Sequence, residues 1–213
     1  MTNLTNFEIY DLLNRPRPLW LAKIDLSQCS LFYVDLSGCN LQLANFERAD
    51  LSWANLSRAD LRMANLYQTN LFEAHLEGAL LAGANLTRCN LTRANMGKVD
   101  LSDAVLVEVN LSRANVTKSI LERANLNNST LVRADFSKAN LSGANLSGAD
   151  LTLANLFEAN LAGADLRGAN LTRVDLTAAN LVKADLTDAV LTDTDLSQAK
   201  TADGKQQTAW SDG

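Results

Sequence analysis

The chain has 213 residues, 47% of them hydrophobic, a formal net charge of -5, three cysteines and one histidine. That length supports a well-buried core in one domain, and that hydrophobicity excludes a disordered chain. The acidic balance also argues against a nucleic-acid binder, whose charge is uniformly basic, so no direct nucleic-acid binding is expected.

The N-terminal stretch, residues 1–23, comes first. Thr5, Asn6, Phe7 and Glu8 have the spacing of a capping box, and Phe7, Ile9, Tyr10, Leu12 and Leu13 form an apolar helical stripe, predicting a short helix over 6–13. Pro16 and Pro18, the only prolines, end it. Leu19, Trp20 and Leu21 read as a degenerate first turn of the repeat array that begins at Ile24, so the segment is expected to act as a helical cap.

From Ile24 to Gln198 a five-residue phrase, commonly Ala-(Asn/Asp)-Leu-x-x, repeats 35 times without insertion or deletion. Examples are Ala44-Asn45-Phe46, Ala144-Asn145-Leu146 and Ala164-Asp165-Leu166. The central position falls at Leu26, Leu31, Leu36 and onward to Leu196; 31 of the 35 centres are Leu, and Phe46, Met96, Val116 and Phe136 are the others, so the position requires bulk without polarity. A period of five rotates successive centres by ~140° on an α-helix, and in an unbroken strand it sends them to opposite sides. They share one interior only if the chain turns between them. Asn or Asp precedes the centre in 28 of the 35 repeats and suits such turns, because its side chain bonds nearby backbone. The small residue two before the centre is expected to face inward. Cys29, Cys39 and Cys89 occupy that site and are read as small buried residues, with neither disulfide nor metal in view.

The tandem phrase resembles that of the pentapeptide-repeat proteins over residues 24–198. This resemblance implies an all-β fold, a right-handed quadrilateral β-helix with four repeats per square coil and about nine coils, roughly 40 Å long. The family is widespread in bacteria and numerous in cyanobacteria. Some members act as DNA mimics toward DNA gyrase, including quinolone protection, which supplies the alternative function here.

Twenty residues per coil would stack residues twenty apart into columns. One column reads Tyr33, Trp53, Glu73, Arg93, Arg113, Arg133, Leu153, Arg173, Asp193, with Phe32 and Phe72 in the column before it. The next face carries Gly38, Arg58, Gly78, Lys98, Lys118, Lys138. Residues 24–87 hold 3 basic and 7 acidic side chains, 88–138 hold 8 and 5, and 139–198 hold 3 and 8, so a basic waist separates acidic ends. Like charges stacked this closely repel unless carboxylates or solvent screen them. The ladder either serves a partner or is ordinary solvated surface whose stems cover apolar wall. The aromatics either mark a protein contact or lie under the N-terminal segment. The residues put forward for partner binding are Phe32, Tyr33, Trp53, Phe72, Arg93, Lys98, Arg113, Lys118, Arg133, Lys138 and Arg173.

Within the array, Leu80, Val105, Ile120 and Val190 replace the Asn/Asp, marking altered turns or small apolar contacts; His75 does so as a surface turn residue. No metal, nucleotide or nucleophile motif occurs, and an unbroken rod is expected to offer no cleft. The chain is therefore expected to be no enzyme and to use no cofactor or metal. No apolar run approaches a membrane span and no leader pattern precedes the array, so a cytoplasmic location is expected. Residues 199–213 read as a capping tail, with Trp210 closing the last coil or contacting a second subunit end to end. The function expected is a non-catalytic protein–protein interaction scaffold or regulator working through the rod's outer faces.

Overall fold

A computed structural model describes residues 11, 12, 14 and 18–201. Asp11 and Leu12 are helical; the rest of the expected 6–13 helix, apart from Asn14 beyond it, lies outside the described residues, as does the tail with Trp210.

Parallel bridges join residues twenty apart, from Trp20 with Asn40 and Asp25 with Asn45 to Asn180 with Lys200, and only the pair Asp175 and Asp195 in that series is unbridged. Four bridge positions per twenty residues make each coil four-sided, and the chain is a quadrilateral β-helix. The first coil begins at the degenerate turn, with Leu19 and Leu21 buried and Trp20 outside at 81% exposure.

One repeat shows why five residues suffice. Asn65 N–H donates to Ala44 O of the preceding coil (2.9 Å), while Leu66 N–H donates to Asn85 O (2.7 Å) and Gln68 N–H to Thr87 O (3.0 Å) of the following coil. Thr69 N–H closes a turn onto Leu66 O at 3.0 Å. The remaining backbone donor, Tyr67 N–H, is taken by the Asn65 side chain, Oδ1 at 3.2 Å. Every backbone donor of the unit is thereby paired, as buried backbone demands. The same side-chain bond recurs from Ser27 to Asp25 (3.1 Å) through Thr187 to Asp185 (3.0 Å).

The Asn/Asp therefore sits on the bridge and braces the turn from outside it; the turn itself is made by the two variable residues. His75 is accordingly a bridge residue, paired with Asn55 and Asn95, and not the turn residue expected from sequence. Every fifth residue from Lys23 to Asp193 has φ between 52° and 68°, and 28 of these are not glycine, so the type II turn imposes its left-handed second position on ordinary side chains. That conformation costs roughly 1–2 kcal/mol per residue. The interlocking backbone bonds on either side hold it in place, and the same geometry throws these side chains outward along the edges.

Asn side chains also bond to each other along the rod. Asn65 Nδ2 donates to Asn45 Oδ1 (3.0 Å) and Asn85 Nδ2 to Asn65 Oδ1 (3.3 Å). At Leu80, Val105, Ile120 and Val190 this ladder is interrupted, yet the bridges persist, with the apolar side chains 38–48% exposed. The expectation of altered turns fails along Leu80 to Ile120, because the turn repeats unchanged through these positions.

Inside, the centres from Leu21 to Leu196 and their inward neighbours from Leu19 onward form one continuous core. Met96, Val116 and Phe136 are fully buried in it. Cys39 and Cys89 are buried and Cys29 partly so, all as free thiols. Burial pushes the Cys89 thiol up to about 12, which leaves it protonated and inert, and it donates to Leu66 O at 2.6 Å. Thr69 and Ser119 occupy the same inward site and donate to the centre carbonyl twenty-three residues earlier, at 2.7 and 2.8 Å. Ser129 Oγ is buried and lacks any such partner.

This geometry sets opposite stability outcomes at two polar side chains. Ser129→Ala removes an unsatisfied buried hydroxyl and is expected to raise unfolding free energy by about 1 kcal/mol. Asn65→Ala removes the bonds to Tyr67, Asn45 and Asn85 and is expected to lower it by about 1–2 kcal/mol. Urea unfolding of the two variants beside the parent measures both, and a destabilised Ser129→Ala would contradict the first.

Candidate interaction surface

The aromatic residues named from sequence form one contiguous run at the N-terminal end of an edge. Phe32 meets Tyr33 edge-on with centroids 6.0 Å apart, and Tyr33 stacks on Trp53 at 5.8 Å with planes 16° apart. Trp53 then meets Phe72 edge-on at 5.8 Å. Phe32, Tyr33 and Trp53 are exposed by 58%, 67% and 40%, so more than half of the first two residues faces solvent; Phe72 is half-buried. Turn geometry explains the stack: Tyr33 and Trp53 both hold the outward, positive-φ position, one coil apart.

The basic waist does not behave as a uniform ladder. Arg93 is neutralised by Glu73 (3.0 Å), Lys98 by Glu77 (3.1 Å) and Lys138 by Glu158 (3.5 Å). On the other two edges Arg88 pairs with Glu108 (2.7 Å), and Arg123 pairs with Asp103 (2.8 Å) and also with Glu122. Those partners hold the Glu108 and Asp103 carboxyls below their ordinary values, chiefly through the arginine hydrogen bonds. Arg113, Lys118 and Arg133 alone among the waist cations have no ion pair among the described residues. Arg113 and Arg133 are consecutive on one edge, and Lys118 stands on the next edge in the coil of Arg113, so the three form one patch. Asp135 between them spends Oδ1 on Ser137 N–H at 2.9 Å.

Arg173 is not part of this patch. Leu153 intervenes, and Asp193 lies 3.6 Å from its guanidinium. Lys138 remains at the margin, with its ammonium 5.9 Å from the centre of the Phe157 ring.

Two surfaces were missed in sequence. A second apolar edge carries Leu43 (50% exposed) and Met63 (61%), with the Met63 sulfur over the space that a side chain at Gly83 would need. Reading that column, Lys23, Leu43, Met63, Gly83, would have revealed it. The expectation of no cleft is also corrected: a shallow open groove of about 730 Å³ lies beside Pro18, where Gly38 and Gly78 leave room on either side of Arg58. Its lining of Ser, Gly, Arg58 and the paired Glu77 and Lys98 holds no nucleophile–base arrangement. No group of metal-ligating side chains occurs among the described residues. No helix among them is long and apolar enough to cross a membrane.

The pentapeptide-repeat model matches in overlapping copies over residues 20–48, 35–71, 49–88, 69–106, 110–148, 134–173 and 169–200. The chain belongs to the pentapeptide-repeat family. Among solved structures it is similar to HetL, a pentapeptide-repeat protein involved in heterocyst differentiation regulation in the cyanobacterium Nostoc sp. strain PCC 7120, with 32% identity over 96% of this chain and 100% of that one, at a TM-score of 0.46. It is also similar to QnrB1, a plasmid-mediated fluoroquinolone resistance protein, with 18% identity over 86% of this chain and 89% of that one, at a TM-score of 0.66. QnrB1 shares the fold at that identity. A comparison with curated proteins finds no match.

Within this pentapeptide-repeat rod carboxylates outside the waist are also held by arginines and hydroxyls. Arg62 grips Asp60 with bonds of 2.9 and 2.6 Å, and Arg167 grips Asp165 with bonds of 2.9 and 2.7 Å, holding both carboxyls below the ordinary 3.8. Asp25 is held low by Ser27. A folded value below the unfolded one gives stability that is complete above the unfolded value and is lost as pH falls through the folded one. Stability against urea is therefore expected to be level near neutrality and to fall once pH drops below about 4. A pH series of urea midpoints tests this, and a midpoint that rises on acidification would contradict it.

Proposed function

We propose that this protein is a non-catalytic interaction scaffold that binds another protein along the edge running from Tyr33 to Arg133 and the face beside it. The observation that carries this reading is the contrast among the waist cations: five are neutralised by carboxylates, while Arg113 and Arg133, further along the edge whose N-terminal end carries the exposed aromatic run, and Lys118, across the face beside it, stand unpaired. Unpaired like charges one coil apart repel, and a bound anionic surface relieves that repulsion. Trp, Tyr and Arg are also the residue types that most often dominate binding energy at protein interfaces. The shallow groove at Pro18 offers no catalytic arrangement, so the activity assigned is binding, and the cytosol is the compartment proposed for it.

A second reading, DNA-mimic action on DNA gyrase, draws on the acidic residues at the two ends of the array, 7 in 24–87 and 8 in 139–198. The unpaired cations between them oppose it, because a duplex mimic requires a continuous negative field.

In a pull-down from the source organism, the partner is expected to be retained by the parent protein and lost by more than about tenfold with Arg93, Arg113 and Arg133 all changed to Glu, or with Trp53→Ala. Equal capture by both variants would remove this edge from consideration. A gyrase supercoiling assay with the purified protein is expected to show no effect; inhibition at low stoichiometry would favour the second reading.

A further inference from the structure

The face between the two basic edges has a shape that the individual residues do not disclose. Along one side run Arg93, Arg113 and Arg133, and along the other Lys98, Lys118 and Lys138, all at outward positive-φ positions and all exposed. Between them the outward residues are Asn95, Gly97, Asn115, Thr117, Asp135 and Ser137. Gly97 has no side chain and lies buried beside the short polar side chains of Asn95, Asn115 and Thr117, so the floor is low. Long basic walls and a floor of short polar side chains make a trough parallel to the rod axis.

Its dimensions select among partners. One repeat per face gives a floor roughly 10 Å wide, and coils repeat every ~4.8 Å along it. An α-helix is ~10–12 Å across, and its side chains at i, i+3 and i+4 recur every ~4.5–6 Å. Carboxylates on one helical face therefore stay in step with Arg113 and Arg133 and with Lys118 opposite. An extended chain presents same-side residues every ~6.6–6.8 Å and loses step after two coils. Toward the N-terminal end, Glu73 on one wall neutralises Arg93 and Glu77, in the floor column of Gly97, neutralises Lys98, and the Trp53 ring lies beyond Glu73 on the same wall. A partner lying here thus needs carboxylates over the coils of Arg113 and Arg133 and apolar side chains toward the aromatic end.

We infer that the trough binds an acidic amphipathic α-helix of the partner protein, laid along the rod axis with its carboxylates between Arg113, Lys118 and Arg133 and its apolar end on Trp53. This rests on the scaffold function proposed for the same edge and specifies the chemistry of its partner. A single-stranded nucleic acid is the competing polyanion. The observations favour the helix because Tyr33 and Trp53 already stack on each other, leaving no ring gap for a base, and because Glu73, Glu77 and Asp135 are interspersed among the cations.

The test uses the full chain and four labelled probes in fluorescence anisotropy at low salt. The first is an Ala-rich helical peptide of about 18 residues, long enough to be helical, with Glu at i, i+4, i+7 and i+11 and Leu at one end. The others are its Lys counterpart, the same Glu peptide with a central Pro that breaks the helix, and an oligothymidine of equal charge. The helical Glu peptide is expected to bind at least about fivefold tighter than the Pro peptide and the oligothymidine, with no binding of the Lys peptide. With Arg113, Lys118 and Arg133 all changed to Glu the preference is expected to reverse to the Lys peptide; these changes keep an ordinary side chain at each positive φ, and circular dichroism verifies the fold. Equal binding of the helical and Pro peptides, tighter binding of the oligothymidine, or no peptide binding would each overturn the helix assignment. In that event, partner capture still sensitive to Arg113 and Arg133 would leave the scaffold reading standing, while its insensitivity would remove both.

Discussion

In most five-residue units the neighbouring coils and the turn take four backbone donors, and the fifth, the N–H just after the centre, is accepted by the Asn or Asp side chain. In the repeat of Asn65 this is the Tyr67 N–H, 3.2 Å from Oδ1. The other four donors go to the turn and to the coils on either side. Closing the units in this way holds the coil at twenty residues, because a unit of any other length would leave a donor unmatched or a centre outside the core. The bridging register, the continuous interior and the alignment of edges all descend from that closure.

The same constraint separates the positions that hold the rod from those free to vary. The centre, the small inward residue and the bridge residue have structural duties. The two turn residues have none beyond tolerating their dihedrals, and the second of them is thrust outward at positive φ all along the chain. Chemistry specific to this protein consequently accumulates on four edges. Its electrostatics are local: a cation at one edge meets the residue one coil away or the adjoining edge position, and whether a carboxylate stands there decides if the charge is neutralised. Arg123 finds Asp103 and Glu122, while Arg113 has arginines on both sides. The patch of Arg113, Lys118 and Arg133 arises from that difference, further along the edge whose N-terminal end carries an aromatic run produced by the same stacking rule.

Much of this was legible in the chain. The period of five excluded an α-helix and an unbroken strand, the bulk of the centres announced the core, and the uninterrupted frame placed residues twenty apart in columns. Tyr33 on Trp53 and the succession Arg93, Arg113, Arg133 were accessible for that reason. Repetition makes tertiary neighbours readable, since each contact is a fixed distance along the sequence.

Which cations are neutralised, and where the open spaces lie, belonged to the tertiary structure. Lys98 passes over Gly78, the next residue of its own column, and reaches Glu77, and Arg173 is taken by Asp193 and lost from the ladder. These choices depend on side-chain length and direction at the corners, where two columns compete for each long cation. The role of Asn as a bridge residue bracing a turn it does not occupy, and the groove around Arg58, likewise required the backbone path. Sequence determined the rod and the order of groups along its edges, because both descend from a period; the folded chain decided the pairing among those groups, because pairing is settled by reach across edges that no period encodes.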